Sequence, residues 1–272
     1  MSRMSLVTIS FNQKEFLDAC LRSVLDQQII DLEYIAVDPG STDGSREIIE
    51  QYSSIIKVFE KDAGPADGLN HGFSISHGEI LGYLNSDDIL LPGALEKIID
   101  LFEKNPDIDV VYGHCLVIDT QGNELRKCYS DKFSLCAAAY GAAMVVQPST
   151  FFRRKIFEKV GGFNVENKSN WDGELFIDFA LAGAKMLRID CFLSGYRVHN
   201  ESITGSGKLA VLHEKYRRDI FKKIMGRPWR NIDATLAFLM RAKKHLFHPR
   251  AAIERLMHGS IFANSSKRLD GT

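Results

Sequence analysis

The first hundred residues alternate short apolar runs with segments of helical periodicity, and no other feature of the sequence constrains the fold as strongly. The apolar runs are four or five residues long and often β-branched, which is typical of strands buried on both faces. They are Leu6–Ser10, Tyr34–Asp38, Ile56–Glu60 and Ile80–Leu84. The helical segments are Glu15–Asp26, Ser45–Tyr52, Ala66–Ser76 and Gly93–Lys104. This alternation predicts a parallel sheet with right-handed crossovers.

The remainder of the chain predicts a change to a mixed sheet followed by helices. Val110–Ile118 and Leu125–Tyr129 flank a turn at 120–123, which favours a hairpin. Further strands are expected at Lys185–Asp190 and Phe192–Val198, with helices at Arg154–Val160, Trp171–Ala182 and, from Leu209 onward, three amphipathic helices punctuated by Pro228 and Pro249. We therefore expect an α/β fold: a mostly parallel central sheet with a Rossmann-like N-terminal half, mixed C-terminal strands and a C-terminal helical extension.

Composition excludes several classes of protein. With 45% hydrophobic and 25% charged residues, the chain of 272 residues is globular rather than disordered. Its longest nearly uncharged apolar run, Cys136–Val146, is far shorter than the ~20 residues of a membrane-spanning helix. The N-terminus shows no apolar signal region, and the five scattered cysteines contain no C-x-x-C pair. We therefore expect a cytoplasmic protein with reduced thiols, without a disulfide framework or a zinc knuckle.

Charge is distributed unevenly along the chain. From Lys208 to the end, 15 Lys and Arg face 5 Asp and Glu, whereas the preceding residues carry a net charge of −11. Apolar residues recur at helical spacing within this basic segment, among them Leu236, Leu239 and Leu246. Such a segment fits an anionic membrane surface. Packing on the rest of the chain, or on a second subunit in a homo-oligomer, would explain the stripe equally well. No nucleic-acid partner is expected, because the cations lack interleaved aromatic residues.

Polar and glycine-rich loops follow each of the first four predicted strands. Ligands bind at the carboxyl ends of parallel strands, so four such loops at one edge indicate a binding site. For any single loop, a solvated turn with a helix cap is a sufficient explanation. A G-x-G-x-x-G dinucleotide motif is absent after the first strand. We attribute the P-loop-like Gly205–Lys208 to chance, because the first glycine of that motif is replaced by Ser202.

Asp87 and Asp88 follow the fourth predicted strand as adjacent carboxylates. Two like charges at this position repel each other unless a cation or a hydrogen-bond donor neutralises them. A divalent ion bound by a carboxylate and by the phosphates of a substrate would do so. A surface turn closed by Pro92, with the aspartates capping the next helix, is the alternative.

Several motifs together resemble family 2 glycosyltransferases with the GT-A fold, over about three quarters of the chain. The motifs are Val7–Asn12, Val37–Ser45, Asn85–Asp88 with Pro92, Lys61–Gly72, Gln147–Arg153, Gly161–Phe163, Trp171–Leu175 and Arg197–Ser202. The Lys61–Gly72 segment is similar to that of a subgroup acting on bacterial surface polysaccharides.

The resemblance implies a role for each matching position. Asp38 resembles the aspartate that accepts a hydrogen bond from the base of the donor, Asp172 the general base, and Asp87 with His199 the residues at the metal and diphosphate. The implied donor-binding residues are Thr8, Phe11, Asn12, Asp38, Gly40, Ser41, Asp67, Asn70, Asn85, Ser86, Asp87 and Asp88. Two positions depart from the family pattern: Asn85 replaces the first aspartate of the metal motif, and Trp171 replaces an acidic residue.

The implied activity is an inverting, Mg²⁺- or Mn²⁺-dependent transfer of a sugar from a nucleotide-sugar, a UDP-sugar by preference, to a glycan or lipid-linked glycan. The resemblance places the catalytic domain at 1–207, with the nucleotide-sugar half at 1–115 and the acceptor half at 116–207, ahead of the basic extension at 208–272. A cytoplasmic enzyme at the inner face of the plasma membrane would suit this activity. An inactive carbohydrate-binding or assembly subunit on the same fold stays open. A sugar-phosphate nucleotidyltransferase is disfavoured, because Ser10–Gln13 lacks the expected glycine-rich basic loop.

Overall fold

The computed structural model describes residues 3–199 and 210–259. The N-terminal half alternates β1 (Met4–Ile9), α1 (Lys14–Leu25), β2 (Leu32–Val37), α2 (Ser45–Glu50), β3 (Ile56–Val58), α3 (Pro65–Ser74) and β4 (Ile80–Asn85). It continues through β5 (Ile89–Leu90), α4 (Ala94–Lys104), β6 (Val110–Ile118), β7 (Glu124–Cys128), α5 (Leu135–Ala139), a 3₁₀ turn (Gln147–Ser149) and β8 (Thr150–Arg153). The remaining elements are α6 (Arg154–Val160), α7 (Trp171–Leu181), β9 (Met186–Arg197), α8 (Ala210–Met225), α9 (Asn231–Phe247) and α10 (Pro249–His258).

The sequence predicts a mixed sheet, and in the described residues one mixed sheet of nine strands organises the fold. Its order is β3-β2-β1-β4-β8-β6-β9-β5, and β7 pairs with β6 outside this path. Strands β1 to β4 are parallel, which confirms the alternation seen in the sequence. Strand β8 is antiparallel to both of its neighbours, β4 and β6. The carboxyl ends of β1, β2 and β4 therefore lie at one edge, where their loops can form a site.

Helices cover both faces of the sheet. On one face, residues of α1 and α4 such as Leu17 and Ile98 pack with Leu6 of β1. On the other face, Leu69 of α3 and Phe179 of α7 pack with residues of β1, β4 and β8. Because both faces are buried, the parallel strands are apolar along nearly their whole length, which is why their sequences lack alternation.

The structure differs from the sequence prediction in the second half of the sheet. The two strands expected at Lys185–Asp190 and Phe192–Val198 form one strand, β9, whose register with β6 shifts on both sides of His114. Strands β5 and β8 and helix α5 were not predicted. They span two to five residues, too few for a periodic pattern, and the two strands form by pairing with distant segments.

The C-terminal helices pack on the body of the molecule. Phe221 of α8 and Ala237 of α9 are buried against Tyr140, next to α5. Lys244 of α9 forms a salt bridge with Asp131. The P-loop-like Gly205–Lys208, the Asn200–Ser202 part of the last motif and the expected boundary at 207 lie outside the described residues. Within the described ranges, no helix has the length and hydropathy needed to cross a bilayer.

Candidate active site

Asp38, the first residue after β2, has a fully buried side chain. One of its carboxylate oxygens has hydrogen-bond partners, and the other has none among the described residues. Its Oδ1 accepts hydrogen bonds from the N–H groups of Gly40 at 2.9 Å and Ser41 at 2.7 Å. The φ of +139° at Gly40 lies in a region that side-chain-bearing residues avoid, so glycine permits this turn. Asp38 Oδ2 has no hydrogen-bond partner among the described residues. A buried acceptor without a partner is costly, and a donor on a bound ligand would satisfy it.

Arg46 of α2 holds Asp38 from the opposite side. Its Nε donates to Asp38 Oδ1 at 3.1 Å, and its Nη2 donates to the carbonyls of Asp38 at 2.8 Å and Phe59 at 3.2 Å. The guanidinium carbon also lies 4.8 Å from the centre of the Phe59 ring. Arg46 is not among the residues predicted from the sequence. The available signal was its position in the first turn of α2, eight residues after Asp38.

The loops after β1 and β2 are joined to each other. Asn12, with a φ of +53°, donates its N–H to Ser41 Oγ at 2.8 Å, and its Oδ1 accepts from the N–H of Thr42 at 2.9 Å. Phe11 beside it is exposed. Phe11, Asn12 and Ser41 thus share the rim near Asp38. Thr8, in contrast, is fully buried with its hydroxyl 2.8 Å from that of Tyr34, so its side chain supports the strand from within the core.

The residues expected beside the nucleotide on α3 have partners within the protein. Asp67 Oδ2 accepts from the N–H of Ala63 at 2.8 Å, which closes the loop before α3. Asn70 donates from Nδ2 to the carbonyl of Phe163 and accepts from the N–H of Phe163, each at 2.9 Å. The amide of Asn70 is therefore used to hold the loop after α6 against α3. This contact depends on a partner 93 positions away, and donor binding by Asn70 stays a prediction.

Asp87 and His199 meet at the carboxyl end of β4. Asp87 Oδ2 lies 3.1 Å from His199 Nε2, although the residues are 112 positions apart. The imidazole packs beside Phe16 of α1, with ring centres 4.8 Å apart. A carboxylate and an imidazole this close can both bind one divalent ion. Among the described residues, no group of three or more His, Cys, Asp or Glu side chains is arranged to hold a metal ion. The pair fits a metal whose remaining ligands come from a substrate diphosphate.

Asp88 has a different environment from Asp87. It is buried, its Oδ1 accepts from the N–H of Arg197 at 2.9 Å, and its Oδ2 has no partner among the described residues. Burial, together with the adjacent charge of Asp87, raises the pKa of Asp88 well above its ordinary value. The two adjacent carboxyls expected from the sequence thus lie in different environments, Asp88 buried and bonded to the backbone of Arg197, and Asp87 beside His199.

Arg197 holds the Asp87–Asp88 turn in place and was given no role by the sequence analysis. Its Nε donates to the carbonyl of Asp87 at 2.7 Å, and its Nη1 donates to the carbonyls of Asp119 at 2.8 Å and Thr120 at 3.0 Å. These bonds join the end of β9 to the turn between β6 and β7. They also fix the approach of His199, two residues later, to Asp87.

Asn85 and Ser86 complete the end of β4. Asn85 Nδ2 donates to Gln147 Oε1 at 3.3 Å, and Gln147 in turn donates to the carbonyl of Tyr83 at 3.0 Å. Ser86 is buried and its N–H donates to the carbonyl of Ile9 at 3.2 Å. Asn85 contributes no charge, so Asp87 carries the negative charge near His199.

Asp172 lies in the first turn of α7, half-buried, with Oδ1 accepting from the N–H of Gly173 at 2.8 Å. The neighbouring Trp171 packs on Tyr83 of β4, with ring centres 5.6 Å apart. Burial first, and then the charge of Asp172, raises the pKa of Tyr83. Asp172 is therefore near the carboxyl end of β4, the same strand that leads into Asp87.

Solved structures of other proteins share this architecture. The structure of Staphylococcus aureus TarS 1–349 in complex with UDP-GlcNAc matches with a TM-score of 0.67 and 15% identity, over 95% of this chain and 76% of that one. A mannosyltransferase from Pyrobaculum calidifontis in complex with GDP-Man and Mn²⁺ matches with a TM-score of 0.63 and 19% identity, over 98% and 78% of the two chains. At these identities the likeness establishes the fold, and the expected GT-A fold is confirmed.

Curated relatives are similar in sequence over most or about half of the chain. An uncharacterized glycosyltransferase of Nostoc sp. is 28% identical over 72% of this chain and 65% of its own length. The Campylobacter jejuni GalNAc(5)-diNAcBac-PP-undecaprenol beta-1,3-glucosyltransferase is 31% identical over 48% of this chain and 43% of its own. This chain thus spans less than two thirds of the length of either relative. The family model for glycosyl transferase family 2 matches residues 5–161, more than half of the chain, and the protein belongs to that family.

Proposed function

We propose that the protein transfers a sugar from a nucleotide-sugar, a UDP-sugar by preference, to a hydroxyl group of a glycan or lipid-linked glycan. The observation that carries the proposal is the buried, unpaired Oδ2 of Asp38 at the same sheet edge as the Asp87–His199 pair. Asp38 Oδ2 would accept a hydrogen bond from the ring N–H of a base, and the Asp87–His199 pair would contact the diphosphate. Together the two features would suit the base and the diphosphate of one nucleoside diphosphate.

The metal-binding residues we propose are Asp87 and His199. A bound Mg²⁺ or Mn²⁺ would stabilise the negative charge that develops on the departing diphosphate. Asp87 supplies the carboxylate, and Arg197 fixes the backbone that presents it. The Mn²⁺ in the Pyrobaculum calidifontis complex supports this choice of ion.

We propose Asp172 as the general base. The acceptor hydroxyl is a weak nucleophile until a carboxylate takes its proton, and Asp172 carries a carboxylate near the end of β4. Attack by one activated hydroxyl from the face opposite the leaving group inverts the anomeric carbon. The glycan acceptor is supported by the family membership, and the lipid-linked form by the name of the Campylobacter jejuni relative.

The proposal is tested by a panel of nucleotide-sugars with Mg²⁺ or Mn²⁺, scored for released nucleoside diphosphate. We expect release from at least one UDP-sugar, increased by a glycan acceptor. Binding of donors without any release would instead support an inactive binding subunit.

The Asp38 contact is tested separately by calorimetric titration of UDP into the Asp38→Asn variant. Asn keeps the Oδ1 acceptor for Gly40 and Ser41 but replaces Oδ2 by a donor, so we expect UDP to bind roughly ten- to a hundredfold more weakly. CDP, whose base has no ring N–H, should bind the wild type less tightly than UDP. The control is Asp26→Asn, which changes an exposed carboxylate after α1. Equal UDP affinity in wild type and Asp38→Asn would contradict the role of Asp38.

A further inference from the structure

Helix α9 leaves one of its apolar flanks uncovered. Its inward side chains are Asp233 and Ala237, which are buried, Met240, which packs on the α5–α8 contact, and Lys244. Beside this face, a second row of side chains recurs at intervals of four, three and seven residues. This spacing places the four side chains on one flank of the helix. All four of these side chains are exposed: Ile232, Leu236, Leu239 and Leu246.

Helix α10 extends the exposed apolar surface past the end of α9. Leu246 and Phe247 in the last turn of α9 are 80% and 71% exposed, and Leu256 and Met257 of α10 are 85% and 68% exposed. No residue of α10 is buried, and Glu254, 4.0 Å from Arg126 of β7, ties the helix to the sheet. We call Leu239, Leu246, Phe247, Ile253, Leu256 and Met257 the α9–α10 surface.

Cations without carboxylate partners accompany the α9–α10 surface. Lys243 lies on the same flank of α9 as Leu239 and Leu246, and Arg255 precedes Leu256. Both are exposed, and neither is within 4.0 Å of a carboxylate in the part of the chain that the structure describes. In contrast, Lys223 and Lys244 form salt bridges that attach the helices to the rest of the protein, and Arg227 forms one with Asp233 of α9. The cations that attach the helices are thus different from those that border the apolar side chains.

We propose that the α9–α10 surface binds the interface of an anionic lipid bilayer. Exposed apolar side chains, with cations among them that have no carboxylate partner in the described ranges, complement a surface that is apolar inside and negatively charged outside. A second copy of this chain fits less well, because a symmetric contact would bring two basic surfaces together. The helices would lie in the plane of the interface, since none in the described ranges can cross it. This binding requires no sugar transfer, so it can be tested independently of the proposed function.

The test is sedimentation of the full chain with phosphatidylcholine vesicles, with and without phosphatidylglycerol. We expect binding to the anionic vesicles, weaker binding at high salt and little binding to the neutral ones. The double variant Lys243→Gln/Arg255→Gln should lose about fivefold in vesicle affinity for each charge removed. Leu246→Ser/Leu256→Ser should lose binding as well.

Matched controls lie in the N-terminal half of the chain, outside α9 and α10. Lys57→Gln/Lys104→Gln removes two exposed charges from the N-terminal half, and Ile30→Ser removes an apolar side chain that is 83% exposed there. These variants should bind vesicles as the wild type does. The proposal is overturned by absent binding, by equal binding to neutral vesicles, or by binding that the surface variants leave unchanged. Self-association in sedimentation velocity that the surface variants abolish, without vesicle binding, would assign the surface to a second copy.

Discussion

At the scale of single residues, the Asp87 carboxylate provides the sharpest test of metal use. Asp87→Asn keeps the size of the side chain but removes its charge, so we expect turnover to fall by roughly a hundredfold or more. Excess chelator should have the same effect on the wild type. Asp100→Asn on α4, where an exposed carboxylate forms a salt bridge with Lys104, is the control and should stay active. Full wild-type activity in excess chelator would show that the proposed metal is not needed.

Asp172 should affect the chemical step rather than donor binding. In Asp172→Asn the acceptor hydroxyl keeps a neighbouring oxygen but loses its base, so we expect kcat to fall by roughly a hundredfold or more with the donor KM little changed. Steady-state release of nucleoside diphosphate measures both constants. Glu166→Gln, an exposed change in the preceding loop, is the matched control. A parallel loss of donor affinity and rate would indicate that Asp172 supports the fold or the donor instead.

Sequence patterns identify the charged residues of this site more readily than the residues whose long-range hydrogen bonds fix the site in position. Asp38 and Asp87 were expected at the carboxyl ends of predicted strands. In the structure they lie just beyond the carboxyl ends of β2 and β4. The contacts of Arg197 with Asp87 and of Asn70 with Phe163 cross 110 and 93 positions of the chain. No local spacing encodes such partners, because they exist only once β9 and the loop after α6 have packed against the N-terminal half.

At the scale of elements, the parallel half of the sheet was predictable and the insertion of β8 was not. Apolar runs between helices specify β1, β2 and β4, since each is long enough to show its pattern. Strand β8 has four residues, and its place between β4 and β6 depends on pairing such as Gly82 with Phe151. That pairing also explains a glycine in the middle of β4, because a side chain there would collide with the Phe151 ring.

Gly82→Ala tests how tightly β4 and β8 are packed. A Cβ at position 82 would lie 2.6 Å from Phe151 Cδ1, so we expect the free energy of unfolding to fall by about 1–3 kcal/mol. Urea denaturation followed by circular dichroism measures this. In a Phe151→Leu background the ring is absent, and Gly82→Ala should then lower the free energy of unfolding by less. An equal loss of this free energy in both backgrounds would show that the strain does not arise from the Phe151 ring.

At the scale of the whole molecule, Asp233 links the C-terminal helices to the body. Its buried carboxylate binds both Nη atoms of Arg227 and accepts from the hydroxyl of Tyr140 at 3.0 Å. The Arg227 guanidinium is the main reason that the pKa of Asp233 lies well below its ordinary value of 3.8. A carboxylate with a lowered pKa stabilises the folded state above the ordinary value, and this contribution is lost as the pH falls towards the lowered one.

The measurement is the thermal unfolding midpoint of wild type and Asp233→Asn as a function of pH. We expect the variant to unfold at a lower temperature near neutral pH, and the difference to shrink below about pH 4, where the unfolded Asp233 takes up a proton first. Asp219→Asn, an exposed change on α8, should follow the wild type throughout. If the difference in unfolding midpoint between wild type and Asp233→Asn stayed constant into the acid range, the negative charge of Asp233 would not be what stabilises the attachment of these helices.

The separation of Asp87 from His199 along the chain has a consequence for biosynthesis. Asp38, Arg46 and Phe59 lie within 22 consecutive positions, so their contacts can form as soon as the first strands and helices have left the ribosome. His199 is translated more than a hundred residues after Asp87, behind all nine strands. The proposed nucleobase end of the site can thus take shape on a nascent chain before His199, part of the proposed diphosphate end, has been translated.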